Sequence, residues 1–154
     1  HQNMKGCLIM NTSLEKISSL KGKEFNYSFK VRDDAYIWSE DSDVIDFYIL
    51  SPVSLLEEIQ KCCYDILRGY LDNSFVSVVS YSKIEHISFT PYSFKVFIKI
   101  KVTEVIENRV YFSGEVYDEI EKVAQFEVVR NIVSKKILKK NINEKINCTN
   151  LSEI

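Results

Sequence analysis

The sequence predicts an α+β domain in which a curved antiparallel sheet wraps one long helix. Two observations lead there. Residues 51–71 carry a single wide apolar stripe at helical spacing, and most of the chain from residue 75 to 138 reads as strands, with apolar and polar side chains alternating at a period of two. A helix with so broad a stripe must bury it, and a sheet is the partner the rest of the chain supplies. The length of 154 residues suits one domain with its own core, and 45% apolar against 27% charged residues is an ordinary globular balance.

His1-Gln2-Asn3 precedes Met4 and reads as a tag remnant, and residues 1–13 as a loose start. The domain is expected over 14–138. In Glu24 to Val31, Phe25, Tyr27, Phe29 and Val31 alternate with Asn26, Ser28 and Lys30, which predicts a half-buried strand. Arg32 to Asp43 is acidic and irregular. Val44 to Leu50 is a short apolar run, either a strand or an entry loop. Ser51 is a good helix cap, Pro52 fits the first helical position, and Leu55, Leu56, Ile59, Cys62, Cys63, Ile66, Leu67 and Tyr70 form the stripe. The helix should end near Gly69 to Leu71. Four long strands come next: Phe75 to Phe89, Phe94 to Val102, Val110 to Val116 and Val123 to Leu138. Turns are expected at Glu107-Asn108 and at Asp118 to Glu121. Residues 139–154 turn polar and are expected to fray. Edge strands of such a sheet expose unpaired backbone, so a homodimer is expected.

A formal net charge of −2 gives no electrostatic case for nucleic acid. The cluster Lys135, Lys136, Lys139 and Lys140 reads as a solvated end. No run approaches the roughly 18–20 apolar residues of a membrane span, and no signal peptide is visible. Cys7, Cys62, Cys63 and Cys148 show neither metal spacing nor a disulfide framework, which points to a reducing, cytoplasmic setting and to no metal. Of the two histidines, only His86 is placed for chemistry. It closes a strand-like run just before Thr90-Pro91, where an imidazole is either a packed core group or an acid–base catalyst.

Glu85-His86-Ile87-Ser88-Phe89-Thr90-Pro91 resembles the His-x-x-x-Thr-Pro segment of the fluoroacetyl-CoA thioesterase-like branch of hotdog-fold proteins. Gly22 to Val31 resembles that branch's first strand, Leu50-Ser51-Pro52 its Thr-Pro helix entry, and Val102 to Asp118 its strand-turn-strand. The likeness covers roughly residues 20–138. It implies a hotdog fold and hydrolysis of a small acyl-CoA thioester, with CoA as part of the substrate and no further cofactor. It also implies that a His, a hydroxyl at the helix entry and a helix Glu cooperate. Carried over, these are His86 as base or nucleophile, Ser51, and a position that is Gln60 counted back from His86 and Ile59 counted forward from Ser51. At roughly 100° per residue Gln60 lies at the edge of the apolar stripe, Glu58 at its far edge and Glu57 nearly opposite, so Gln60 is the polar residue best placed to face inward.

An amide orients a water but takes no proton from it. Two departures stand beside that one: Tyr92-Ser93 replaces the branch's glycine after Thr90-Pro91, and the branch's Arg near the start of the last strand falls on Glu127. The amides near Ser51 and Val53 are candidates to polarise a carbonyl. Tyr36, Trp38, Phe47 and Tyr48 read either as acyl-pocket lining or as core. The alternative function is a non-catalytic hotdog module that binds acyl-CoA or a related ligand. The Asp-x-Asn-Pro-x-His segment of hotdog hydratases is absent.

Overall fold

The computed structural model describes residues 14–32 and 39–152, and the side chains up to residue 149. Tyr36 and Trp38 lie outside the described residues. Five strands, β1 (Glu24–Lys30), β2 (Phe75–His86), β3 (Lys95–Ile106), β4 (Arg109–Tyr117) and β5 (Lys122–Ser134), form one sheet in the order β1-β3-β4-β5-β2. Every neighbouring pair is antiparallel. Helix α1 (Pro52–Arg68) packs on one face of this sheet, and helix α2 (Lys135–Ser152) follows β5. This is the hotdog arrangement.

Each element has a local cause. In α1, Ser51 keeps an extended backbone (φ −79°, ψ 154°), and its Oγ accepts the Ser54 N–H at 3.1 Å. Such a cap stabilises by about 1 kcal/mol. Pro52 loses no hydrogen bond at the first helical position. Leu55, Ile59, Cys62, Cys63, Ile66 and Leu67 are buried as one stripe, and each fully buried aliphatic contributes roughly 1.5–3 kcal/mol. The sheet answers with Ile98, Ile100, Phe112, Val116, Ala124 and Val128. Burial raises the Cys62 thiol to about 11 and the Cys63 thiol to about 12, so both are small apolar groups and not nucleophiles.

Strand β4 leaves no room for a side chain at Gly114. A methyl group on Gly114 would lie 2.1 Å from the Lys99 carbonyl oxygen and 2.4 Å from the Phe126 ring. Only hydrogen fits there. At the β3–β4 hairpin Ile106 pairs with Arg109, and Glu107 takes the left-handed backbone (φ 55°) that this two-residue connection demands.

The run before α1 is an entry loop, joined to the sheet side by one bridge, Ile49 to Pro91. Three features differ from expectation. Strand β2 ends at His86 and not at Phe89, because the Ile87 and Ser88 N–H groups both turn to the Val123 carbonyl and leave the ladder. Strand β5 stops at Ser134 and not at Leu138, since its last partner is Phe75. With no strand left to pair, the next backbone groups bond within the chain, and residues expected to fray form α2. The chain therefore carries a C-terminal helix that periodicity did not reveal.

Candidate active site

His86 shares the helix-facing side of β2 with Ser82 and Ile84, opposite Ala124, Val128 and Phe126 on β5. Its Nε2 is buried and has no hydrogen-bond partner among the described residues. Burial pushes the imidazole below its ordinary value of 6.5, and a hydrogen bond with the Ser88 backbone only partly opposes this. The ring is therefore neutral at neutral pH, with one nitrogen uncommitted. That is the state a general base requires.

The segment after His86 is stitched to the helix entry. The Leu50 N–H donates to the Thr90 carbonyl at 2.9 Å, and the Tyr92 N–H donates to the Tyr48 carbonyl at 2.7 Å. The Tyr48 and Tyr92 rings meet edge to face, 6.4 Å apart. Ser51 and His86 consequently stand at the same end of the domain. Ser51 is buried, and its hydroxyl donates to Ser54 Oγ at 3.2 Å while capping the helix. Among the described residues no hydrogen bond engages the Val53 N–H, so the helix start keeps one free donor.

Thr90 and Asp118 explain why this end holds its shape. Thr90, fully buried, donates its hydroxyl to Asp118 Oδ2 at 3.3 Å. Asp118 Oδ1 accepts the Ile120 and Glu121 N–H groups, both at 2.8 Å. The threonine of the His-x-x-x-Thr-Pro segment is thus a clamp between the β2 exit and the β4–β5 turn.

Gln60 sits elsewhere. Its Nε2 donates to Ser82 Oγ at 3.0 Å. Four residues of strand, about 13 Å, separate Ser82 from His86. Nine helical positions, again about 13 Å, separate Gln60 from Ser51. Within one chain the fold brings Ser51 to the His86 end and leaves Gln60 one layer away. Ile59, the other count, is fully buried, whereas Glu57 is exposed. Phe47 and Tyr48 are 62% and 58% exposed, so they are not core. Glu127 is exposed on the helix-distal face.

Sequence reasoning missed Arg130. It is 7% exposed and lies 5.5 Å from the centre of the Tyr64 ring. Nε donates to Ser77 Oγ at 2.8 Å, Nη2 to the Ser77 carbonyl at 2.9 Å and Nη1 to the Gln60 carbonyl at 3.2 Å. No carboxylate pairs with it among the described residues. The available signal was one cation inside Val128-Val129-Arg130-Asn131-Ile132, a position too apolar for a solvated arginine. Among the described residues no cluster of His, Cys, Asp or Glu is arranged to hold a metal, and no helix is long and apolar enough to cross a membrane.

Comparison with known proteins agrees with this architecture. A hot-dog-like protein from Thermanaerovibrio acidaminovorans superposes with a TM-score of 0.76 at 24% identity, covering 84% of this chain and 96% of its own. The fluoroacetyl-CoA thioesterase FlK gives 0.72 at 15% identity, covering 81% and 96%. A thioesterase superfamily member from Thermus thermophilus gives 0.70 at 15% identity, covering 83% and 96%. No curated protein sequence matches significantly. The family model described as fluoroacetyl-CoA-specific thioesterase matches residues 19–136. With that match over most of its length, and with the hotdog sheet, the capped helix entry and the buried imidazole in place, the chain belongs to the fluoroacetyl-CoA-specific thioesterase family.

Proposed function

We propose that the protein hydrolyses a small acyl-CoA thioester, with His86 as the base. The observation that carries this reading is the buried, uncommitted Nε2 of His86, at the end of the domain where the helix start leaves a donor free. Nε2 takes a proton from water as the water oxygen bonds to the acyl carbon. The Val53 N–H and the positive end of the helix stabilise the oxyanion that forms. Collapse breaks the C–S bond, and the imidazolium returns its proton to the leaving thiolate. The products are a carboxylic acid and CoA, and no further cofactor takes part. Ser51 serves by fixing the helix entry through its cap.

The reading extends to a homodimer through β2. Among the described residues this strand pairs on one side only, with β5, and it exposes Val79 and Tyr81. Antiparallel pairing of two β2 strands would run the His86 end of one copy along the middle of the other's β2, where Gln60 is bonded to Ser82. Gln60 would then orient water at the neighbour's imidazole. FlK, solved with fluoroacetate and CoA, is a fold relative whose ligand has the chemistry proposed. A family member of this kind is expected in the cytoplasm.

Purified protein incubated with acetyl-, propionyl-, butyryl- and fluoroacetyl-CoA, with released thiol trapped by a dye, tests the reading. Hydrolysis above background that His86→Ala abolishes is expected. Thermal stabilisation by acyl-CoA without turnover would instead make this a binding module, for which the amide at Gln60 already speaks.

A further inference from the structure

The far end of α1 carries a cavity that the thioester chemistry at His86 does not use. It measures about 350 Å³ and lies where α1 exits, β2 begins and α2 starts. Arg68, Lys135, Asp72, Asn73, Tyr64 and Ser77 contribute to its walls. Neither Arg68 nor Lys135 forms an ion pair among the described residues. Asp72 is the one carboxylate of the lining, and it is already turned to the Ser74 N–H at 2.9 Å. Behind the wall, the buried Arg130 lies against Tyr64 and Ser77 with no carboxylate of its own. Two cations, Arg68 and Lys135, thus line the cavity with a single carboxylate, and amide and hydroxyl groups stand beside them. A helix exit favours positive groups, which accounts for Arg68 and not for Lys135. Planar guanidinium beside ammonium is the donor set that phosphate oxygens match.

We infer that this cavity binds a phosphate group, and that the group is the phosphate-bearing handle of the thioester substrate. The assignment to the substrate rests on the thioesterase reading, whereas the phosphate site itself does not. The cavity lies about 25 Å along the 17-residue α1 from Ser51, at the wrong end to serve the same chain's His86. Antiparallel pairing of β2 edges would turn it toward the neighbour's His86 instead. One copy would then hold the handle while the other cleaves the bond. A free phosphorylated molecule offers the same chemistry, and the experiment separates the two sources.

Titration calorimetry with adenosine 3′,5′-bisphosphate tests the site without any turnover. Binding is expected to weaken about tenfold in the Arg68→Ala/Lys135→Ala double variant and with rising salt, as charge pairing requires. Both side chains are exposed, so the variant is expected to fold normally. Kinetics test the assignment. For an acyl-CoA the double variant should raise KM about tenfold with kcat unchanged, as loss of uniform binding does. For the N-acetylcysteamine thioester of the same acyl group, which carries no phosphate, KM should not move. No binding of the bisphosphate overturns the site. Binding with an unmoved acyl-CoA KM, or with both KM values raised equally, overturns the assignment to the substrate. Binding by a protein that cleaves no thioester also overturns that assignment, because the thioesterase reading has then failed while the phosphate site stands.

Discussion

At the entry end of α1, Glu40, Asp41, Asp43 and Asp46 precede Ser51, and Asp118, Glu119 and Glu121 form the neighbouring turn. At the exit end stand Arg68, Arg130, Lys135, Lys136, Lys139 and Lys140. A net charge of −2 conceals this polarity. The two ends nevertheless share a design. Each has a set of polar groups spent on holding the fold: Ser51, Thr90 and Asp118 at the entry, Arg130, Ser77 and the Gln60 carbonyl at the exit. Each also keeps a group that the fold does not use, His86 Nε2 at one end and the Arg68–Lys135 pair at the other. A buried polar group left uncommitted is costly to keep, which marks the His86 end as the place for catalysis, whereas the exposed Arg68 and Lys135 mark the other end by charge alone.

Four variants and one profile sharpen or break that contrast. The largest effect is expected from His86→Ala, which should lower kcat for acyl-CoA hydrolysis about 100-fold or more while leaving the melting temperature nearly unchanged. A comparable loss of stability would mean that the imidazole is a core group. Next, Arg130→Ala should cost about 2–3 kcal/mol in denaturant unfolding, because it leaves the Ser77 hydroxyl without its partner and opens a void under Tyr64. Gly114→Ala should cost about 1–3 kcal/mol in denaturant unfolding through overpacking against Lys99 and Phe126. Ser51→Ala should cost about 1 kcal/mol and lower kcat more than the stability change explains, if the capped entry holds the oxyanion donor in place.

The pH dependence follows from His86. Its folded value lies below the ordinary 6.5, so the folded state binds fewer protons than the unfolded chain through this window. The corresponding stability is present above 6.5 and is lost as pH falls through the lower folded value. Activity should fall with the same acid limb, centred below 6.5, and the limb should vanish from the residual rate of His86→Ala. A limb centred above 6.5 would show that the imidazole is stabilised as a cation and is not a buried base.

Period-two and helical patterns were enough to read β1, α1, β3 and β4, because their faces are buried on one side and the burial is written in alternate residues. The ends of β2 and β5 were not legible. Apolar residues continue past His86 and Ser134, and it is the partner strand running out that stops the ladder. Helix α2 escaped for a different reason: its weak apolar stripe gives periodicity little to register.

The sequence by itself determined the fold class, the capped helix entry and the one histidine worth considering, since each depends on local spacing and residue chemistry. Only the tertiary structure decided which side chains meet. It set Ser51 at the His86 end and bonded Gln60 to Ser82, and it spent Thr90 on Asp118. It also gathered Arg68, Lys135 and Arg130 at the far end of the helix. Those pairings depend on strand register and on the direction in which α1 crosses β2, and both are fixed by contacts between residues far apart in the chain.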